Sequence, residues 1–438
     1  MKKVFLFALI AAFFLAVGIS GAGVSPNKMM GINVVLNTEI SNAILTDLAN
    51  YGTVLDVFHE INALTMRTKL SHLETIQSLP YVAAANPDRE RQGIPIDTVP
   101  VDNFNAGLST WNLDTIDVTD YGFANRVVDY DGAGVYVAVL DTGLVDTWRQ
   151  YFPQERIATE YAICFGGGGG NRGWVSTQPN KWEHDTNSHG THVTSTILGY
   201  NFYGTPINGV APMASVIPVK VLNQTGWGWT SAISRGILYV AVLKEKEIPG
   251  SPVVINMSLG GGYLDAMEKA AIDYAISKGV IVVAAAGNRG NYGMGYPGGY
   301  EPVISVAAAG WYGEWTSENW WYANIPDPTV PAQFYIPGFS SREKSGQDLD
   351  VTAPGVWVVG PYQLQMGKIS YYYLYGTSMA CPHVAGIVAL MLEKNPGLTA
   401  AEAEIILESE AIPLPGWNPE DQGAGLVNAI AALLATPL

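Results

Sequence analysis

Cysteine is scarce in this chain, and so are charged residues, basic ones above all. Only two cysteines, Cys164 and Cys381, occur among 438 residues, so a fold built on disulfides is excluded, although one bond between these two stays an open alternative. Charged residues make up 14% of the sequence, and so low a share excludes an intrinsically disordered chain. The net charge of −16 disfavours binding to nucleic acid or to an anionic membrane.

Apolar runs long enough to suggest a membrane-associated segment are absent except at the N-terminus. There Lys2 and Lys3 precede 14 apolar residues, Val4 to Val17, and the small residues Ser20, Gly21 and Ala22 follow. A charged start, a short apolar run and small residues predict a secretory signal peptide over residues 1–22, because the run is too short for a comfortable membrane span. We therefore expect a protein that is secreted or retained at the cell surface and leaves the membrane once the signal is removed. An uncleaved N-terminal anchor is the alternative.

Residues 31–90 have the pattern of a small separate unit. Strand-like and helical segments alternate in the order β-α-β-β-α-β, which is typical of a ferredoxin-like α+β fold. The second helical segment, "SHLETIQSLP", opens with a capping-box pattern formed by Ser71 and Glu74. The polar stretch that follows, residues 87–107, contains several prolines and predicts an exposed linker of the kind that proteases cut.

From about residue 108 to the C-terminus, continuous apolar runs alternate with helical segments. Runs such as "VYVAVLD", "PVVINMSLG" and "GVIVVAAAGN" are typical of parallel strands covered on both faces. The pattern predicts an α/β fold with a doubly wound, mostly parallel sheet. In such a fold, ligands bind beyond the carboxyl ends of the strands.

Three polar residues at the ends of predicted elements are candidates for nucleophilic catalysis. Ser378 precedes an apolar helical segment, His189 begins another helix after Asn187 and Ser188, and Asp141 ends a buried strand. A serine hydroxyl needs a base to accept its proton, and a histidine base needs a carboxylate to fix its tautomer. Taken singly, each residue also has a structural interpretation, as a turn cap or a packed side chain. The other histidines of this region are predicted to be structural: His184, His192 and His383. Zinc binding by the pair His189 and His192 is disfavoured, because the glutamate and spacing of zinc protease helices are missing.

The segments around these residues resemble a known family. "VAVLDTGL", "SHGTHV" and "GTSMACPHVAG" are similar to the three signature blocks of the subtilisin-like serine proteases, and the order Asp-His-Ser is that of subtilisin. The resemblance runs from about Trp111 to the C-terminus. It implies a subtilisin-like catalytic domain over residues 108–438. It also implies that residues 23–107 are an inhibitory chaperone propeptide, with a folded part at about 31–90.

The resemblance implies a role for each matching residue. His189 takes the proton of Ser378, Asp141 orients His189, and the acyl-enzyme forms on Ser378. Asn288, in "VVAAAGNRG", is implied as an oxyanion donor. Two strand edges are implied to hold an extended substrate, and small residues near them to form the specificity pocket. The implied substrate-binding residues are Ser258, Leu259, Gly260, Gly226, Trp227, Gly228, Gly287 and Gly295. The alternative for these glycines is that they only form turns.

We therefore expect a secreted, self-maturing serine endopeptidase that acts on protein or peptide substrates and is inhibited by its own propeptide. We expect a monomer that needs no cofactor for its chemistry. The segment "GYNFYGTPINGVAPMA" departs from the family's calcium loop, so that calcium site is in doubt, while structural calcium elsewhere stays open. Residues 311–338 form a long segment with four tryptophans, for which self-packing is favoured over an aromatic binding platform. The alternative function is a catalytically silent secreted binding protein that retains the protease fold.

Overall fold

A computed structural model of the chain describes residues 26–93, 95–100, 110–119, 126–169, 174–318, 320–321, 325–326 and 328–438. The expected signal peptide and part of the expected linker lie outside these residues. Within the described part of the chain, no helix is both long enough and apolar enough to cross a membrane.

The N-terminal unit is a four-stranded antiparallel sheet with two short helices. Its strand order is β2-β3-β1-β4, and the chain order of its elements is the expected β-α-β-β-α-β. Helix α1 begins after Ser41, whose side chain accepts a hydrogen bond from the Ile44 backbone N–H. The predicted capping box at Ser71 is wrong, because a 3₁₀ turn occupies this position and the Ser71 N–H bonds to Pro26. The elements are β1 Met29–Leu36, α1 Asn42–Leu48, β2 Gly52–Phe58, β3 Ala63–Lys69, α2 Leu73–Gln77 and β4 Val82–Pro87.

The stretch after β4 differs from the expected free linker. It forms two short strands, β5 Glu90–Gln92 and β6 Asp97–Pro100, and both pair with strands of the C-terminal unit. Asp88 and Arg91 are buried. Because both residues are polar, the sequence indicated an exposed segment. In the fold, backbone pairing and buried partners supply the hydrogen bonds that water would otherwise provide.

The C-terminal unit is built on a nine-stranded sheet. The order is β17-β16-β15-β14-β7-β12-β8-β9, with β18 alongside β16, and all pairs are parallel except β8 with β9 and β16 with β17. The expected mostly parallel α/β sheet is confirmed. The strands are β7 Tyr136–Asp141, β8 Ile163–Gly167, β9 Val175–Thr177, β10 Gly199–Phe202, β11 Thr205–Asn208, β12 Ser215–Lys220, β13 Trp227–Trp229, β14 Val253–Met257, β15 Val280–Ala285, β16 Ile304–Trp311, β17 Phe334–Tyr335, β18 Val351–Pro354, β19 Val358–Pro361 and β20 Tyr371–Tyr375.

Helices cover both faces of this sheet, and the strand residues alternate between them. In β7, Val137 and Val139 join the core beneath the helices that contain His189 and Ser378. Ala138 and Leu140 join the core on the opposite face, beneath the helices that contain Arg235 and Glu268. Burial on both faces explains why these strands appear in the sequence as unbroken apolar runs. The helices are α3 Trp111–Thr115, α4 His189–Leu198, α5 Thr230–Lys246, α6 Ala266–Ser277, α7 Thr377–Lys394, α8 Ala400–Ser409, α9 Pro419–Gln422 and α10 Ala429–Ala435.

The two units share a packed interface. Phe58 of β2 belongs to the core formed with α5 and α6, and the Arg235 guanidinium lies 3.7 Å from the centre of its ring. Arg235 also forms an ion pair with Asp56, with an N–O distance of 3.2 Å. The N-terminal unit therefore packs on α5 and α6, the helices on one face of the sheet.

The described part of the tryptophan-rich segment packs on the C-terminal unit. Trp320 and Trp321 are buried in an aromatic core with Trp111 and Tyr373, while Trp315 is half exposed and lies against Trp320. This packing agrees with the favoured interpretation of the segment as self-packed.

Candidate active site

The central pair of the site joins a strand end to a helix start. Asp141 is the last residue of β7 and His189 is the first of α4; both side chains are 0% exposed. The Nδ1 atom of His189 lies 2.8 Å and 2.9 Å from the two carboxylate oxygens. A buried carboxylate is costly without partners, and here the imidazole and the Thr142 N–H supply them. Because the carboxylate accepts a hydrogen bond from Nδ1–H, the ring proton stays on Nδ1 and Nε2 is the nitrogen that can accept a proton.

A second buried aspartate shapes the turn before His189. Asp185 accepts hydrogen bonds from the Ser188 N–H and from the Thr142 hydroxyl, each at 2.7 Å. Burial raises the pKa of Asp185, against the opposing influence of Lys220. Ser188 itself has a φ of +73°, which this hydrogen bonding holds in place. Sequence reasoning assigned no role to Asp185; its only signal was a polar loop directly before the helix.

Ser378 lies in the first turn of α7, a helix of 18 residues. Its Oγ donates to the Ser258 carbonyl at 3.1 Å, and the Ser258 hydroxyl donates back to the Ser378 carbonyl at 2.9 Å. The Nε2 atom of His189 is buried and has no hydrogen-bond partner among the described residues. In this structure the Ser378 hydroxyl therefore bonds to the Ser258 carbonyl and not to the histidine. Such catalytic hydrogen bonds often tighten only with substrate in place.

Asn288 follows β15 and lies against the start of α7. Its Oδ1 accepts hydrogen bonds from the backbone N–H and the hydroxyl of Thr377, both at 2.9 Å. Because the oxygen is engaged in this way, the amide nitrogen remains as a donor. The backbone N–H of Ser378, in the first turn of α7, lies close by, at a helix start where the dipole favours negative charge. Thr377 was not singled out in the sequence, yet it sets the orientation of Asn288.

The chain's own strand β5 lies between the two expected substrate edges. Gln92 exchanges two backbone hydrogen bonds of 3.0 Å with Gly260 on one side, and β13 pairs with β5 on the other. The Gly93 N–H donates to the Gly226 carbonyl at 2.9 Å. A Cβ atom placed on Gly93 would lie 3.0 Å from the Ser258 carbonyl oxygen and 3.4 Å from Cε1 of His189. The strand therefore leads directly into the region between His189 and Ser378.

A cavity of about 610 Å³ opens beside this strand. Five of the expected substrate-binding residues line it together with Asn288 and Ser378: Trp227, Leu259, Gly260, Gly287 and Gly295. The other three lie outside its lining. Gly226 and Gly228 form the backbone edge that pairs with residues 88–93, which follow β4 and are called the tail below. Ser258 bonds to Ser378. The structure thus groups the expected substrate-binding residues, Asn288 and Ser378 around one cleft near the carboxyl ends of β14 and β15, with His189 beside it.

Residues 132–429 match the model of the subtilase family. The chain belongs to the subtilase family. It is 30% identical over 428 residues to the thermostable alkaline protease of Halalkalibacterium halodurans, covering 98% of this chain and 97% of that protein. It is 36% identical over 307 residues to subtilisin E of Bacillus subtilis strain 168, but the match spans 69% of this chain and 66% of that protein. Membership of this family indicates a serine endopeptidase.

Two solved structures resemble this subtilase. Sphericase is 28% identical, with a TM-score of 0.57 over 73% of this chain and 97% of that one. Fervidolysin from Fervidobacterium pennivorans, described as a keratinolytic enzyme related to subtilisin, has a TM-score of 0.66 over 94% of this chain and 62% of that one. Its sequence identity is 24%, so this second likeness concerns the fold alone.

Of the other histidines of the C-terminal unit, His184 is exposed, whereas His192 and His383 are buried, as are both cysteines. The Nε2 atom of His192 lies 3.1 Å from the Val358 carbonyl, and burial lowers its pKa to about 3. His383 lies between the Met379 carbonyl and Asn112, and burial lowers its pKa to about 4. Cys164 and Cys381 are both free. Burial raises the pKa of Cys381 to about 12, so its thiol stays protonated and is no rival nucleophile.

An acidic cluster between the start of β18 and helix α8 has the character of a cation site. Asp348, Asp350 and Glu404 each offer a carboxylate oxygen, and these oxygens lie within 4.8 Å of one another. The Oδ1 atom of Asp350 is buried without a hydrogen-bond partner among the described residues, which fits an oxygen-binding ion such as Ca²⁺. The segment in place of the family's calcium loop forms the hairpin of β10 and β11.

Proposed function

We propose that the chain is the precursor of a secreted, self-maturing serine endopeptidase. Residues 1–22 serve as the signal peptide, 23–107 as an inhibitory propeptide and 108–438 as the catalytic domain, which acts as a monomer on protein or peptide substrates. The observation that carries the proposal is the placement of His189, paired with Asp141, and of Ser378, beside Ser258, around the end of the chain's own extended strand β5.

The proposed reaction follows from this placement. The Oγ atom of Ser378 attacks the substrate carbonyl while its proton passes to Nε2 of His189. The positive charge on the imidazole is stabilised by Asp141, which stays ionised. The tetrahedral oxyanion receives hydrogen bonds from the Asn288 amide and the Ser378 backbone N–H. His189 then protonates the leaving amine, and water hydrolyses the acyl-enzyme by the same base.

Inhibition by the propeptide follows from strand pairing. A substrate that lay as β5 does would use the edges at Gly226–Gly228 and Ser258–Gly260 for its backbone, so the tail and a substrate exclude one another. Maturation requires that this tail be cut and released. A structural calcium at the acidic cluster around Asp350 is proposed to stabilise the catalytic domain, and the chemistry itself needs no cofactor.

A catalytically silent binding protein is not favoured. Such a protein would have no need of a buried histidine with one nitrogen on a carboxylate and the other unpartnered among the residues that the structure describes. Neither would it need an asparagine amide held in place at the start of the serine helix.

The test is the Ser378→Ala variant of the full chain, expressed with its signal peptide. We expect the wild type to be converted to a shorter active form. Ser378→Ala should fold but accumulate as an unprocessed precursor of mass close to residues 23–438, with no activity on casein. Cys381→Ser is the matched control, since it changes a side chain one helical turn away, and it should mature normally. Normal maturation and full activity of Ser378→Ala would contradict the proposed function.

A further inference from the structure

One charged side chain of the tail enters the C-terminal unit completely. Arg91, in the middle of β5, is 0% exposed although it carries a permanent positive charge. Its Nε lies 3.1 Å and 3.2 Å from the two carboxylate oxygens of Glu268, and its Nη2 lies 2.5 Å from one of them. Nη2 also donates to the Tyr263 carbonyl at 3.0 Å. A buried arginine with this many partners occupies a formed pocket and does not merely rest on a surface.

The pocket belongs to the proposed catalytic domain and has the shape of a guanidinium. Glu268 lies in the first turn of α6 and is itself 0% exposed. At Gly261, a Cβ atom would stand 2.6 Å from Nη1 of Arg91, so glycine leaves the space that the side chain fills. The planar fork of arginine matches a carboxylate with two parallel hydrogen bonds, which lysine, a single point charge, cannot reproduce.

The pairing of β5 gives the position of this pocket relative to the catalytic groups. Arg91 pairs with Gly228 and Gln92 with Gly260, and Gly93 lies beside the imidazole of His189. Consider a substrate that lies in the same register as β5. The substrate residue that follows the position of Gly93 then presents its carbonyl to Ser378. The residue at the place of Arg91 is then the fourth before the scissile bond.

We propose that Glu268 is a specificity-determining residue, which makes this enzyme select arginine at the fourth position before the scissile bond. The proposal rests on the proposed function, because it concerns substrates of the same cleft. When the tail leaves after maturation, the buried carboxylate loses Arg91, and an unpaired buried charge is costly. Burial and the nearby carboxylate of Asp265, which caps α6, raise the pKa of Glu268, so its ionised form gains from a cationic partner such as Arg91. A substrate guanidinium therefore gains more here than an apolar side chain of similar length.

The test compares the matured wild type with Glu268→Gln. Internally quenched peptides that differ only by Arg, Lys or Leu at this position are used, and mass spectrometry verifies the bond that is cut. We expect kcat/KM of the wild type for the Arg peptide to exceed that for the Leu peptide by about 30-fold or more, with Lys between them. In Glu268→Gln the Arg/Leu ratio should fall at least about tenfold. Asp273→Asn, which removes an exposed carboxylate from the same helix, is the control and should keep the ratio.

Equal rates for Arg and Leu in the wild type, or an Arg preference that persists in Glu268→Gln, would overturn the specificity while leaving the peptidase activity in place. Failure of the wild type to cut any peptide would overturn both. Should Glu268→Gln not mature because Arg91 lacks its partner, the double variant Arg91→Leu with Glu268→Leu replaces the ion pair by an apolar one. That variant should mature and prefer the Leu peptide, and a retained Arg preference would contradict the proposal.

Discussion

Three buried histidines of the C-terminal unit differ in what surrounds each ring. His189 has a carboxylate at Nδ1 and, within the part of the chain that the structure describes, no partner at Nε2, whereas His192 and His383 bond to backbone carbonyls. A buried histidine whose hydrogen-bond partners are neutral stays uncharged at ordinary pH. A histidine beside a carboxylate can accept one when the reaction requires it. The role of each ring therefore depends on its partners rather than on its burial.

The two structural histidines predict acid sensitivity. Burial lowers the pKa of His192 to about 3 and that of His383 to about 4, while an unfolded histidine titrates near 6.5. Below about pH 6.5 the unfolded chain binds protons that the folded chain does not. The stability from neutral burial is thus fully present above that pH and is lost as the pH falls toward 4, by up to about 1.4 kcal/mol per pH unit for each histidine.

Denaturant unfolding of the Ser378→Ala protein at pH 7.5, 6 and 4.5 measures this loss without self-digestion. Adding His383→Gln should flatten the dependence of the unfolding free energy on pH, and adding the exposed His184→Gln should not. Equal slopes in the two variants would show that His383 does not titrate as its surroundings imply.

Among the secondary-structure elements, β5 is a polar segment that the sequence predicted as an exposed linker and that forms a paired strand in the structure. Its residues have few apolar neighbours in the sequence, and propensity alone predicts an exposed connection. Its backbone nevertheless pairs on both sides, with Trp227–Trp229 and with Gly260, and its arginine finds a carboxylate on a distant helix. Because these partners lie more than a hundred residues away, the sequence did not reveal the strand or the role of Glu268.

The pairing predicts how inhibition by the propeptide can be weakened. Gln92→Pro removes the N–H that bonds to the Gly260 carbonyl and places a proline ring in a central strand. Residues 23–107 added to the mature enzyme should inhibit it, and we expect Gln92→Pro to raise the inhibition constant by about tenfold or more. Glu74→Gln, an exposed change in α2, should leave the constant unchanged. The measurement is initial-rate inhibition with a peptide substrate, and equal constants for the two variants would exclude strand pairing as the source of inhibition.

At the scale of the whole molecule, the sequence predicted most of the framework. Unbroken apolar runs indicated parallel strands covered on both faces, and the blocks around Asp141, His189 and Ser378 indicated the site and its place at the strand ends. The details that depend on long-range contacts were not predictable. Asp185 supports the turn before His189, and Thr377 orients Asn288; both are common polar residues whose importance lies in what they touch after folding.

The central claim is that Ser378, activated by His189, is the nucleophile of the molecule. Incubation of the matured protein with a phosphonofluoridate, followed by intact mass and peptide mapping, tests it most directly. We predict one adduct per chain, located on Ser378, with loss of peptidase activity in proportion to labelling. A protein made with His189→Ala should show little labelling, because its serine has no base, while Cys381→Ser should label as the wild type does. Labelling elsewhere, or none in an active preparation, would contradict this account of the site.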